Sequence, residues 1–296
     1  PKPDEKAKLD SAGQPQTTPK PDEKAKLDSA AQPQGVSVEY LVMRFERDLK
    51  KQFGKLFNEN TTFADLAELI WGPPEARFCN TVDFLGHASA VNDETGVPGI
   101  SLREAIGAKN AKHVGDATTF ISWTWRFKVK QFIEALKNYC GDNNLDMSRT
   151  FVWICFFCNC QFQWLSGIPQ DGVETFGETV KKIGNLVCVV DTYKAKESLY
   201  FSRLWTVFEV FIALSCAGVT IEFCLMGDSE DELMDTTLRQ LTCSVVLDVL
   251  NAEASDKNDE LKIKKLICEA EGGAQRVNSS VAELFIDMAA RMMKNA

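Results

Sequence analysis

The sequence predicts an α/β protein: a parallel, flavodoxin-like sheet flanked by helices, with an N-terminal helical extension and a helical C-terminal end. Three observations lead there. Short apolar or β-rich runs occur at 118–123, 150–157, 185–190 and 219–226, and near-continuous apolar runs suit strands buried on both faces. Segments of helical spacing lie between them, at 127–140, 173–183 and 203–216, and this alternation builds a sheet covered on both sides. The 296 residues, 45% hydrophobic and 25% charged, allow an ample core.

Taken in order, residues 1–16 and 19–34 repeat the same text with a single change, Gly13 to Ala31. Each copy has one large aliphatic residue, Leu9 or Leu27, too little apolar surface to offset chain entropy. Residues 1–36 are therefore expected to be a disordered, tandemly duplicated tail. Residues 37–115 are expected to form a helical and irregular extension. Leu41, Phe45, Leu49, Phe53, Leu56 and Phe57 predict one helix within 40–57. Thr62 predicts the cap of a second, which Gly72-Pro73-Pro74 ends. A short helix is expected at 102–108. The domain proper is expected over 116–296, with later helices at 232–241, 260–269 and 280–293 and an edge strand within 243–250.

Charge narrows the partners. The chain has 33 basic and 42 acidic residues, net −9, and the first 36 residues balance at six of each sign. The excess acid sits on the folded part, which gives no electrostatic reason to bind nucleic acid. No basic cluster suits an anionic membrane. The apolar stretch 205–226 is broken by Glu209, Glu222 and Ala217-Gly218, so it reads as a buried helix and strand, not a transmembrane segment. Most of the ten cysteines lie in apolar runs, such as Cys188 in Leu186–Val190, and free buried thiols suit a reducing compartment. No secretory signal is read at the start, and an intracellular, cytoplasmic location is expected.

In open sheets of this kind ligands bind beyond the carboxyl ends of the strands. That directs attention to 122–126, 158–164 and the residues from Asp191 onward. Glu209 is the sharpest single candidate, because it is the only charged residue between Leu204 and Ile221, on a helix apolar around most of its circumference. A buried carboxylate is costly unless paired or placed in a polar cleft. Ser122 offers a hydroxyl for a ribose or phosphate, Trp125 a stacking face and Arg126 a phosphate partner. Two readings of Glu209 stand side by side: a functional carboxylate, or a helix residue paired with an Arg such as Arg126 or reaching solvent.

Three stretches together resemble Toll/interleukin-1 receptor (TIR) domains, most closely a group in algae and other protists. They are Thr119-Phe120-Ile121-Ser122-Trp123-Thr124-Trp125, Trp153-Ile154-Cys155-Phe156-Phe157-Cys158-Asn159-Cys160-Gln161, and Ser202-Arg203-Leu204-Trp205-Thr206-Val207-Phe208-Glu209. The resemblance covers 110–226 and continues more weakly to 290. It implies a flavodoxin-like fold and association with protein partners or with further copies of the chain. It also implies a glutamate, Glu209, placed as in TIR domains that cleave NAD; Ser122, Trp125, Arg126 and Trp205 are the candidate binding residues to go with it. NAD would then be a substrate, losing nicotinamide through an oxocarbenium-like transition state, and no cofactor is required. Trp123, Cys155 and Thr206 depart from the group's usual His, Asp and Cys, which tilts the reading towards a non-catalytic interaction and signalling module. A structural or linker subunit of a larger assembly is the third reading.

Other chemistries find less support. Cys155, Cys158 and Cys160 form C-x-x-C-x-C without a completing pair, and His87 and His113 are distant, so no metal site is expected. Cys155 is expected inside a strand, unlike a thioredoxin motif. No phosphate-binding Gly-rich loop follows the first strand and no G-x-S-x-G elbow is present. The acidic cluster 228–235 reads as a solvated helix start.

Overall fold

The computed structural model describes residues 31–296 apart from 80, 94, 165–171, 193, 195, 228–247 and 296. The first copy of the duplication, most of the second, the acidic cluster, the helix expected at 232–241 and most of the edge strand expected at 243–250 lie outside the described residues. Of that last segment, Val249–Asn251 is a 3-10 turn.

The chain enters the fold earlier than the sequence suggested. β1 (Gln34–Ser37) begins within the segment expected to be tail, and Val36 is fully buried. The last residues of the second copy are built into the fold: the Gln32 side chain donates to the carbonyls of Ala117 and Lys182, each at 3.3 Å. Helical turns at Val38–Tyr40 and Leu41–Phe45 run on into α1 (Glu46–Phe53), and together they bury Leu41, Phe45, Leu49 and Phe53. α2 (Phe63–Trp71) starts at a capping box in which Thr62 and Asp65 satisfy each other's backbone N–H groups. It stops at Gly72, whose φ of +91° suits glycine. α3 (Leu102–Lys109) has a second capping box, Ser101 with Glu104. β2 (Val114–Asp116) follows, so the extension supplies two strands as well as helices.

β3 (Thr119–Ser122) leads to α4 (Val129–Asp142) and β4 (Phe151–Trp153). The apolar run 150–157 divides at this point. Its second half turns into α5 (Cys155–Cys158), so Cys155 opens a helical turn after the strand and does not lie within it. α6 (Gln161–Trp164), α7 (Gly172–Ile183), β5 (Asn185–Val190), α8 (Leu204–Ser215) and β6 (Thr220–Leu225) follow. α9 (Lys257–Glu269) and α10 (Gly273–Asn295) close the chain.

The sheet runs β2-β1-β4-β3-β5-β6. β4, β3, β5 and β6 are parallel, and β1 is antiparallel to both its neighbours. Among the parallel strands this is the flavodoxin-like order, second-first-third-fourth. The antiparallel pair at one side was not foreseen: β1 and β2 are only four and three residues long, with glycine at Gly35 and Gly115, and carry almost no alternating pattern. Gly35 is required by proximity, since a Cβ there would sit 2.7 Å from the Val152 carbonyl oxygen.

The extension and the sheet share one core. Phe63 of α2 lies edge-on to Trp123, Phe132 and Phe156, at centroid distances of 4.4, 5.2 and 5.1 Å. On the α7 side of the sheet, Phe120 stacks on Trp153 at 4.7 Å and both meet Phe176. No described helix is long and apolar enough to cross a membrane.

Candidate functional site

The strand order reverses between β3 and β5, and the crevice outside their carboxyl ends is where an open sheet of this kind receives ligands. Register decides which side chains face it. Phe120 pairs with Leu186 and Ser122 with Cys188, and alternation along a strand puts these four on one face. α8 crosses that face and brings Glu209 to Ser122.

Glu209 is 7% exposed. Burial pushes its carboxyl up to about 8, against smaller opposing effects from the Ser122 hydroxyl and the Arg203 guanidinium. Its Oε2 has no hydrogen-bond partner among the described residues. Beneath it runs a polar chain. The Ser122 Oγ and Tyr200 hydroxyl are 2.7 Å apart, and Tyr200 also meets the Cys188 thiol. The Ser122 hydroxyl also meets the Glu209 carboxyl. Burial holds the Tyr200 phenol far above its usual range and the Cys155 thiol at about 12. At neutral pH every one of these groups except the arginine is predominantly neutral.

Arg203 connects this buried cluster to the surface. It precedes α8, and its guanidinium feels Arg126, Cys155 and Glu209. Nη1 donates to the Ser255 Oγ at 2.9 Å. Backbone bonds join Leu204 N–H to the Glu253 carbonyl at 2.9 Å and Glu253 N–H to the Ser202 carbonyl at 3.0 Å, so the segment around Glu253 is held beside the start of α8 as a wall. The result is a cleft of about 250 Å³ lined by Arg126, Ser202, Arg203, Asn251, Glu253, Ala254 and Ser255. Glu209 and Ser122 lie behind it and do not line it.

The candidates thus separate into groups. Ser122 and Glu209 are together and sealed. Arg126 is exposed on the cleft and makes no ion pair with Glu209; Arg203 is the cation whose charge acts on that carboxyl. Trp125 is half-buried, stacked on Trp123 at 6.4 Å and edge-on to Phe156 at 5.6 Å. Trp205 packs against Phe176 and Phe208 and donates towards Asp259. Tyr200, Arg203 and Glu253 were not singled out from sequence. Tyr200 and Arg203 follow β5, where the strand-end rule pointed, whereas nothing in 248–255 marks it as a cleft wall.

Two further constellations carry no chemistry of their own. Burial holds the Cys155 and Cys158 thiols at about 12, opposite to the lowered value of a redox-active pair. His113 has Ser37 Oγ and a Glu39 carboxylate oxygen at 3.2 and 3.5 Å, but both approach Nδ1. A relay would need them on opposite nitrogens. Among the described residues no three His, Cys, Asp or Glu converge as metal ligands.

Fold and cleft together define an α/β domain with a polar crevice at the switch point of its sheet. No protein family, characterised protein or solved structure matches this chain.

Proposed function

We propose that this chain is a TIR-like interaction and signalling module in which Glu209 serves structure and not catalysis. The state of Glu209 carries the reading. Scission of an N-glycosidic bond through an oxocarbenium-like transition state calls for an ionised carboxylate that the substrate can reach. Here the carboxyl is 7% exposed and, with its pKa at about 8, favours the protonated form at pH 7 by about ten to one. The cleft in front of it is lined by other residues. The three stretches that resemble TIR domains supply the kind of module, an analogy at the level of fold, and a second copy of the chain is the first partner to test.

A second reading, NAD hydrolysis, draws support from the unpaired Oε2 of Glu209 and from the gathering of Ser122, Trp125, Arg126 and Arg203 near the same strand ends. One experiment separates the two. Purified wild type and Glu209→Gln are assayed for nicotinamide release from NAD at high protein concentration, and their mass is followed by light scattering. The interaction reading expects mass to rise with concentration in both proteins, with no release above the variant's background. Turnover in wild type that is lost in a folded Glu209→Gln would establish the hydrolase instead.

A further inference from the structure

Arg126 and Arg203 reach the same cleft from different elements, one after β3 and one before α8. Like charges held together cost free energy unless something neutralises them. None of the ion pairs among the described residues involves either guanidinium. The hydrogen-bond partner of Arg203 is the neutral Ser255 hydroxyl. Glu209, behind it, is mostly protonated at neutral pH. The α8 N-terminus adjoins the same cleft through Ser202 and Arg203 and has no side-chain cap, so its partial positive charge adds to that of the two arginines.

We propose that this cleft binds the phosphate group of a small phosphorylated sugar. Paired guanidinium groups match phosphate oxygens in fork geometry and charge. The volume of about 250 Å³ falls below the roughly 300–1,000 Å³ that encloses a drug-sized ligand, which suits a phosphate with one sugar ring. The rest of the lining supplies partners for sugar hydroxyls: the Ser202 and Ser255 hydroxyls, the Asn251 amide and the exposed Glu253 carboxylate. Glu253 opposes a bare anion and accepts from a hydroxyl, so it favours a ligand carrying both groups. The site does not depend on catalysis by Glu209.

Calorimetric titration with inorganic phosphate, ribose 5-phosphate and ribose, at matched ionic strength, tests the assignment on the full chain. Wild type, Arg126→Gln, Arg203→Lys and Glu209→Gln are compared. Ribose 5-phosphate is expected to bind more tightly than inorganic phosphate, and ribose not at all. Arg126→Gln, at an exposed position, should keep the fold and weaken binding by about tenfold or more. Arg203→Lys keeps the charge but loses the fork and should also weaken it, while Glu209→Gln, nearly isosteric with the protonated acid, should bind as wild type does. No binding of either phosphate at roughly 10 mM, or affinities unchanged in both arginine variants, would overturn the proposal.

Discussion

Replacing Glu209 by Gln should make the protein more stable as the solution becomes more alkaline. The buried carboxyl has moved from an ordinary 4.5 to about 8. At about 1.4 kcal/mol per tenfold change in proton affinity, that displacement corresponds to at most about 5 kcal/mol. The sign follows from proton counting. Above pH 4.5 the unfolded chain releases this proton, while the folded chain holds it until about pH 8. The unfolded state therefore binds fewer protons across that window, and wild type loses stability as pH rises through it. A glutamine side chain cannot ionise, so the variant escapes this loss. Denaturant unfolding of both proteins, with the wild-type curve subtracted, removes the contribution of every other titrating group. From about pH 5 to about pH 8.5 the variant's advantage should grow by about 2–4 kcal/mol. A difference that stays flat, or that moves in favour of wild type, would refute the reasoning: it would mean that Glu209 is ionised in the fold and held by Arg203.

Other consequences can be measured in the same way. Phe63→Ala should cost about 3–5 kcal/mol, because the ring is fully buried among Trp123, Phe132 and Phe156; a loss under about 1 kcal/mol by urea unfolding would separate the extension from the core. Gly35→Ala should destabilise by about 1–3 kcal/mol, since the new Cβ meets the Val152 backbone, with the loss seen as a lower thermal midpoint. Thr62→Ala removes the cap of α2 and should lower stability by about 1 kcal/mol in denaturant melts. Thiol titration of the native protein should label the exposed Cys79 and Cys268 promptly and reach the buried Cys140 and Cys188 only after unfolding, because burial suppresses their thiolates.

β5 was legible because it is buried on both faces along nearly its whole length, and β6 because its apolar run follows a helix and a turn. β5 coincides with the apolar run 185–190, and β6 lies within 219–226. Capping chemistry located the start of α2 at Thr62 to the residue. The run 150–157 misled because apolar character reports burial and not backbone conformation: Phe156 and Phe157 are fully buried, yet on a helical turn. β1 and β2 were missed for the opposite reason, being too short for alternation to register. At the site, the isolation of Glu209 in an apolar helix correctly signalled burial. Its relation to Arg203 and Tyr200, and the wall formed by Glu253, arise from contacts that local spacing does not encode.

The position of β1 also orders events during synthesis. Gln34 and Val36 have no ladder partners until 114–116 has emerged, and the other side of the strand waits for 151–153. Phe63 likewise waits for Trp123, Phe132 and Phe156. A nascent chain ending before these residues carries the apolar faces of α1 and α2 only partly covered, with Phe84 against Phe45 and Phe53 but the sheet still missing. Closing contacts over such distances in sequence is slow, and transiently uncovered surface of this kind invites aggregation. α1 and α2 thus leave the ribosome before the strands and aromatic side chains that complete their packing.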